Sequence, residues 1–230
     1  MLHNSSTGEE KAKIMPSAAL QSVLDGRFAE LLQFREKPAQ PPLPSGIPDL
    51  DFPRGAVTEI YGPPSSGRTT LLLSALAQAT AREEVCALID VDDAFDPASA
   101  AAAGVALNRL LWIRCGGHAE RALKVTDLVV QGGGFGMVAM DLGNTPPETA
   151  RRIPPASWFR FRHAVQNTNS VLLVLEQGPY ARSCAALSLE TSRQAVAWSG
   201  AANCSQLLRG MRLHIEQHKP RTQIAFDFAS

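Results

Sequence analysis

The residues Gly62-Pro63-Pro64-Ser65-Ser66-Gly67-Arg68-Thr69-Thr70 stand between the apolar run 57–61 and Leu71-Leu72-Leu73. A glycine-rich turn that joins a strand to a helix aims several backbone N–H groups at one point, and the helix dipole adds positive potential there. Phosphate is the natural occupant. The spacing is that of G-x-x-x-x-G-K-[ST], except that Arg68 replaces the lysine. Gly62, Pro63, Ser65, Ser66, Gly67, Arg68, Thr69 and Thr70 are therefore the candidate phosphate-binding residues. Acidic groups follow. Asp90, Asp92, Asp93 and Asp96 cluster behind the apolar run 85–89, Asp141 ends the run 136–140, and Gln177 follows the run 171–175. Carboxylates and a threonine hydroxyl are the hard oxygen donors that Mg²⁺ takes beside a phosphate.

The elements that must position these groups alternate. Strands are expected at 58–61, 85–90, 110–113, 136–141 and 171–175, and helices at 70–81, 97–103, 119–130 and 154–167. Such alternation means βαβ units and a mainly parallel sheet. Ligands of these sheets sit at the carboxyl ends of the strands, where the phosphate loop, Asp92, Asp141 and Gln177 all fall. Past Gln177 the pattern weakens. Residues 178–192 read as a mobile segment, and short strands are expected at 195–198, 211–216 and 223–228, extending the sheet on one side.

Ahead of this core, residues 1–16 are polar and aperiodic and read as a disordered leader. Leu20, Val23, Leu24, Phe28, Leu31 and Leu32 recur at helical spacing, giving a helix over 17–36 that either folds back on its own core or docks on a neighbouring subunit. Prolines make 37–45 an extended linker. The core is expected over 46–217, with a strand or tail over 218–230. The tail 223–228 reads as an edge strand, with a clamp-binding peptide as the alternative.

With 230 residues and 45% hydrophobic content, the chain suits one α/β domain with short arms. Lys+Arg and Asp+Glu both number 22, so no general basic field draws nucleic acid. A local patch stays open: Arg151, Arg152, Arg160, Arg162 and His163 surround Trp158, Phe159 and Phe161, either as a helix with buried aromatics or as a surface for single-stranded DNA. Cys86, Cys115, Cys184 and Cys204 are widely spaced, as small buried hydrophobes are. Neither a secretory leader nor a run of 18 apolar residues is present, so a cytoplasmic protein without membrane contact is expected.

Residues 59–71 and 86–97 together resemble the ATPase core of bacterial RecA recombinases, and the same register continues through Asp141 and Gln177 over roughly 45–217. Lacking the large C-terminal domain of RecA proper, the chain is most similar to the short ImuA-type homologues. The resemblance implies a RecA-like P-loop core, a parallel sheet flanked by helices and an antiparallel extension on the C-terminal side, with ATP and Mg²⁺ as cofactors. It assigns Mg²⁺ to Thr69 and Asp141, water activation to Asp92 as the catalytic residue, γ-phosphate sensing to Gln177 and the adenine-stacking position to Ser99. It also implies a role in the DNA damage response, in SOS mutagenesis and translesion synthesis, with a RecA-family recombinase or translesion polymerase components as partners and self-association through the N-terminal helix.

Three positions depart from the family pattern. Arg68 keeps a charge but not the lysine's geometry. Asp92 is shorter than the family's glutamate by about 1.5 Å, a misplacement able to cost about a hundredfold in rate. Ser99 lacks the aromatic ring. The expectation is an accessory protein acting through protein contacts, with weak or absent ATPase activity; the alternative is a DNA-dependent ATPase of the RecA family.

Overall fold

The computed structural model describes residues 40–166, 168–200, 207–219 and 221–229, the last strand and residues 207 and 208 by their backbone. The expected leader and N-terminal helix, the linker as far as Ala39, and Cys204 lie outside the described residues. From Gln40 onward the chain is one compact unit. In order it holds β1 (Leu43–Ile47), β2 (Leu50–Phe52), β3 (Ala56–Tyr61), α1 (Arg68–Ala81), β4 (Cys86–Asp90), α2 (Pro97–Ala102) and β5 (Leu110–Arg114). There follow α3 (Ala119–Gly132), β6 (Met137–Asp141), α4 (Pro147–Arg151), α5 (Pro155–Val165), β7 (Val171–Glu176), β8 (Ala185–Ser199), β9 (Leu207–Lys219) and β10 (Arg221–Ala229).

Eight strands form one sheet in the order β10-β9-β8-β3-β7-β6-β4-β5. The run from β8 through β5 is parallel, and β8, β9 and β10 pair antiparallel. The fold class is thus as expected, antiparallel extension included. Strands β4 and β7 are buried at every residue, which explains why they read as unbroken apolar runs: parallel strands covered on both faces have no solvent side.

Alternate residues of these strands feed two cores. Ile60, Leu88, Leu173 and Leu175 pack with Leu71, Leu72 and Leu76 of α1 and with Leu43 and Phe52 of the β1–β2 hairpin. On the other face, Ile89, Met140, Leu172 and Val174 meet Leu123 of α3 and Trp158 and Phe161 of α5. A fully buried Leu or Phe contributes about 2 kcal/mol, so both layers fix where the strand ends stand. Cys86, Cys115 and Cys184 are free and buried, as small hydrophobes. No described helix is long and apolar enough to cross a membrane.

Two expectations are corrected. Residues from Leu43 belong to the β1–β2 hairpin rather than to an extended linker, because Pro44 sits in an edge strand of a two-stranded sheet, where a missing N–H is tolerated. Residues 178–192 are not a mobile segment. Residues 182–184 form a 3₁₀ turn, and β8 begins at Ala185, its first half buried against β3. The helix expected over 154–167 is α5, preceded by a separate short α4.

At the edge of the sheet opposite the phosphate loop, Arg54 ties several strand starts together. Its guanidinium bonds Glu84 at 2.6 and 2.9 Å and donates to the carbonyls of Pro41 and Asn169 at 2.9 and 2.8 Å. The side chain is only 6% exposed. Removing one partner of a buried pair strands the other charge, so Arg54→Ala is expected to cost about 3 kcal/mol and roughly 10 °C in Tm. Urea denaturation checks this, and a loss under about 1 kcal/mol would show the pair to be dispensable.

Candidate functional site

Strand β3 delivers the chain into the phosphate loop, and Gly67 turns it into α1. Gly67 has φ +92°, a left-handed conformation natural only to glycine, and a Cβ there would lie 2.2 Å from Leu213 Cδ1 of β9. No side chain caps α1, so the N–H groups of its first turn are left for an anion. The back of the loop rests on the sheet extension. Ser66 Oγ and Thr191 Oγ1 are 2.7 Å apart, and Thr191 Oγ1 donates to the carbonyl of Tyr61 at 3.2 Å.

Arg68 turns away from solvent. Its Nη1 donates to the carbonyl of Glu176, at the end of β7, at 2.6 Å, and the residue is 7% exposed. Burial lowers its pKa, and the charge of Asp141 opposes that shift. Asp141 stands at the end of β6, where Oδ1 accepts the N–H of Gly143 at 2.8 Å. Burial pushes its carboxyl up to about 6, with Asp90 and Asp92 adding to the shift and Gly143 N–H and Arg68 opposing it. Gly143 leaves room for both groups: a Cβ there would lie 2.8 Å from Asp141 Oδ1 and 3.2 Å from Arg68 Nη1.

Arg68, Thr69, Phe95, Ser99, Asp141 and Asn144 line one cavity of about 260 Å³. That is slightly below the range of about 300–1,000 Å³ usual for small-molecule sites. Ser99 does line it, held by Asp96, which caps α2 by accepting Ser99 N–H at 2.9 Å. The aromatic surface present is Phe95, packed against Trp112 with centroids 5.3 Å apart.

The other acidic residues are engaged elsewhere. Asp90 accepts the N–H groups of Ala94 and Phe95 at 3.0 Å and Trp112 Nε1 at 3.1 Å, and so shapes the loop after β4. Asp93 pairs with Arg114 at 2.9 Å. Asp92 is not among the residues lining the cavity; Thr145 Oγ1 donates to its Oδ2 at 2.9 Å, while Gln177 Nε2 donates to the Thr145 carbonyl at 3.2 Å. The buried Thr145 therefore couples Asp92 to Gln177. Gln177, Pro63 and Pro64 border a neighbouring groove with Arg151, Tyr180 and Arg182.

Beneath that groove lies a carboxyl pair. Burial and the adjacent Glu59 hold Glu176 well above the usual carboxylate range. The outer oxygens accept the N–H groups of Tyr180 and Ala181, at 3.1 and 2.7 Å, and so fix the short turn after Gln177.

Thr69 and Asp141 offer a hydroxyl and a carboxylate, the donors a divalent metal takes beside phosphate. The guanidinium of Arg68 lines the same cavity beside Asp141 and brings a positive charge of its own. With Arg68 on the Glu176 carbonyl, these residues do not fit a Mg²⁺ ion. Of the basic and aromatic cluster, Trp158 and Phe161 are buried, Arg160 pairs with Asp127 at 3.0 Å, and Phe159 is exposed. Two of the three aromatics thus face the core and the third faces solvent.

Sequence reasoning missed Gly143, Thr145, Glu176 and Thr191. A small residue two places after Asp141 was the one local sign; the others act across the fold. Because the folded pKa of Asp141 lies above its unfolded value, its ionisation weakens the fold progressively as pH rises from about 4 to about 6. Asp141→Asn is expected to melt higher than the wild type at pH 7.5, with the advantage shrinking toward pH 4. Melting curves across that range check it, and a constant gap counts against the burial of Asp141.

Residues 45–146 match the family model of the RecA N-terminal domain. Protein RecA of Chlorobaculum parvum is 46% identical over 90 residues, covering 39% of this chain and 26% of that protein. Protein RecA of Rhizobium leguminosarum bv. viciae is 32% identical over 140 residues, covering 55% and 40%. The chain thus spans less than half the length of these relatives. A solved structure described as that of the RadB recombinase is similar with a TM-score of 0.57 at 16% identity, covering 81% of this chain and 95% of that one. The fold, the phosphate loop and these matches together give the chain a RecA-like core.

Proposed function

We propose that the protein is a RecA-like accessory factor of the DNA damage response, acting mainly through contacts with other proteins and keeping a nucleotide site of weak turnover. The observation that carries this reading is the pose of Arg68. The loop cation is fixed to the Glu176 carbonyl at 2.6 Å instead of being free to follow the phosphate through turnover. The turn from Gly178 to Cys184 is short and pinned by Glu59 and Glu176, which suits a structural link better than a mobile DNA-gripping loop. The partners of this reading are a RecA-family recombinase or translesion polymerase components, with self-association through the 17–36 helix, and its setting is SOS mutagenesis.

A second reading, a DNA-dependent ATPase that uses ATP and Mg²⁺ once Arg68 leaves the Glu176 carbonyl, is favoured by one observation: Thr69 and Asp141 line the same cavity at the uncapped start of α1. In that reading Asp92 orients water, Gln177 senses the γ phosphate, and single-stranded DNA follows the groove bordered by Arg151 and Arg182.

Phosphate release at saturating ATP and Mg²⁺, with and without single-stranded DNA, separates the two. The accessory reading expects release no faster than from Asp141→Ala. Turnover at or above about 1 s⁻¹, the low end of ordinary enzyme rates, would establish the ATPase reading instead.

A further inference from the structure

We infer that the Arg68 guanidinium is the resident cation of this site, standing in for the divalent metal and keeping it out. Polyphosphate entering the cavity is then held without magnesium. The inference deepens the nucleotide-site part of the proposed function and rests on it.

Three features of the site carry it. First, Arg68 is anchored: its Nη1 lies 2.6 Å from the carbonyl of Glu176, a residue 108 positions away at the end of β7, and 7% of its surface is exposed. A guanidinium fixed in this way is part of the wall. Second, Arg68 Nη1 and Asp141 Oδ1 both face Gly143, at 3.2 and 2.8 Å from where a Cβ would stand. A cation brought to Asp141 stands near a like charge at a partly buried position, where repulsion is stronger than in water. Third, the remaining carboxylates near the site are already bonded. Asp90 holds two backbone N–H groups and Trp112, and Asp92 holds Thr145, so neither is left to strengthen a metal site at Asp141.

The arginine can also do what the metal would. A guanidinium carries five N–H donors in a planar fork that matches two phosphate oxygens at once, and one donor suffices for the Glu176 carbonyl. Arg68 lines the cavity at the start of α1, whose first-turn N–H groups have no side-chain partner. Backbone donors and a fixed cation thus face one small space, a sufficient set for an anion.

The test is ADP binding by calorimetry in magnesium buffer and in EDTA, for the wild type and for Arg68→Lys, with Arg68→Met as a second variant should the first not fold. The expected result is a wild-type affinity equal within twofold in the two buffers, and a gain of tenfold or more from magnesium in Arg68→Lys. Wild type that binds in neither buffer, while a variant binds only with magnesium, overturns the inference, because Arg68 then excludes the metal without holding the polyphosphate. Magnesium tightening the wild type tenfold or more overturns the inference, as does binding absent from the wild type and both variants. Tight, magnesium-dependent binding without turnover would sink this inference and leave the accessory reading standing; brisk turnover in EDTA would do the reverse.

Discussion

A positive charge buried in protein must find acceptors, and the lodging of Arg68 on the Glu176 carbonyl is the constraint around which this site is arranged. The bond joins the start of α1 to the end of β7, the strand that pairs with β3 in the sheet. It places the charge next to Asp141, which burial would otherwise leave poorly compensated. It also requires the backbone after Asp141 to stay slim, and Gly143 supplies that. A lysine at 68 would make a single point contact, with no fork to span carbonyl and cavity together. The replacement that looked like a damaged motif is, in the folded protein, a fitted one.

The supports of the loop come from a different part of the sheet. Thr191 of β8 holds Ser66 and the Tyr61 carbonyl, and Leu213 of β9 fills the space against Gly67. The antiparallel extension is therefore the floor of the phosphate loop as well as an added edge. On its far side Tyr61, Glu190 and His218 are linked: Tyr61 Oη donates to Glu190 at 3.4 Å and His218 Nε2 lies 2.8 Å from the same carboxylate. The strand that feeds the loop is thus held on both faces and along both edges.

Much of this was readable in advance, for physical reasons. The parallel strands β4, β6 and β7 are nearly continuous apolar runs because both their faces are covered, and the loop announces itself through glycine spacing. Strand β8 was not readable. Its first half is buried beside β3 while its second half pairs only with β9, and register shifts at Ser188, Arg193 and Ala197 break the alternation that marks a strand. The β1–β2 hairpin was hidden by its prolines. At the site, residue types were legible and directions were not. Nothing local in Gly67-Arg68-Thr69 says that the side chain turns inward, since its acceptor is a carbonyl set by the path of β7. The same holds for Asp92, whose partner Thr145 is 53 residues away.

The contact between Ser66 and Thr191 closes a span of 125 residues, and β3 pairs in the sheet only with β7 and β8, both distant in sequence. Closing long spans carries an entropic cost before any pairing is gained, and chains dominated by such contacts fold slowly. On a ribosome, the loop would emerge long before its floor. The anion cradle therefore matures last, and until β7 is made β3 lacks both of its sheet neighbours and needs shielding.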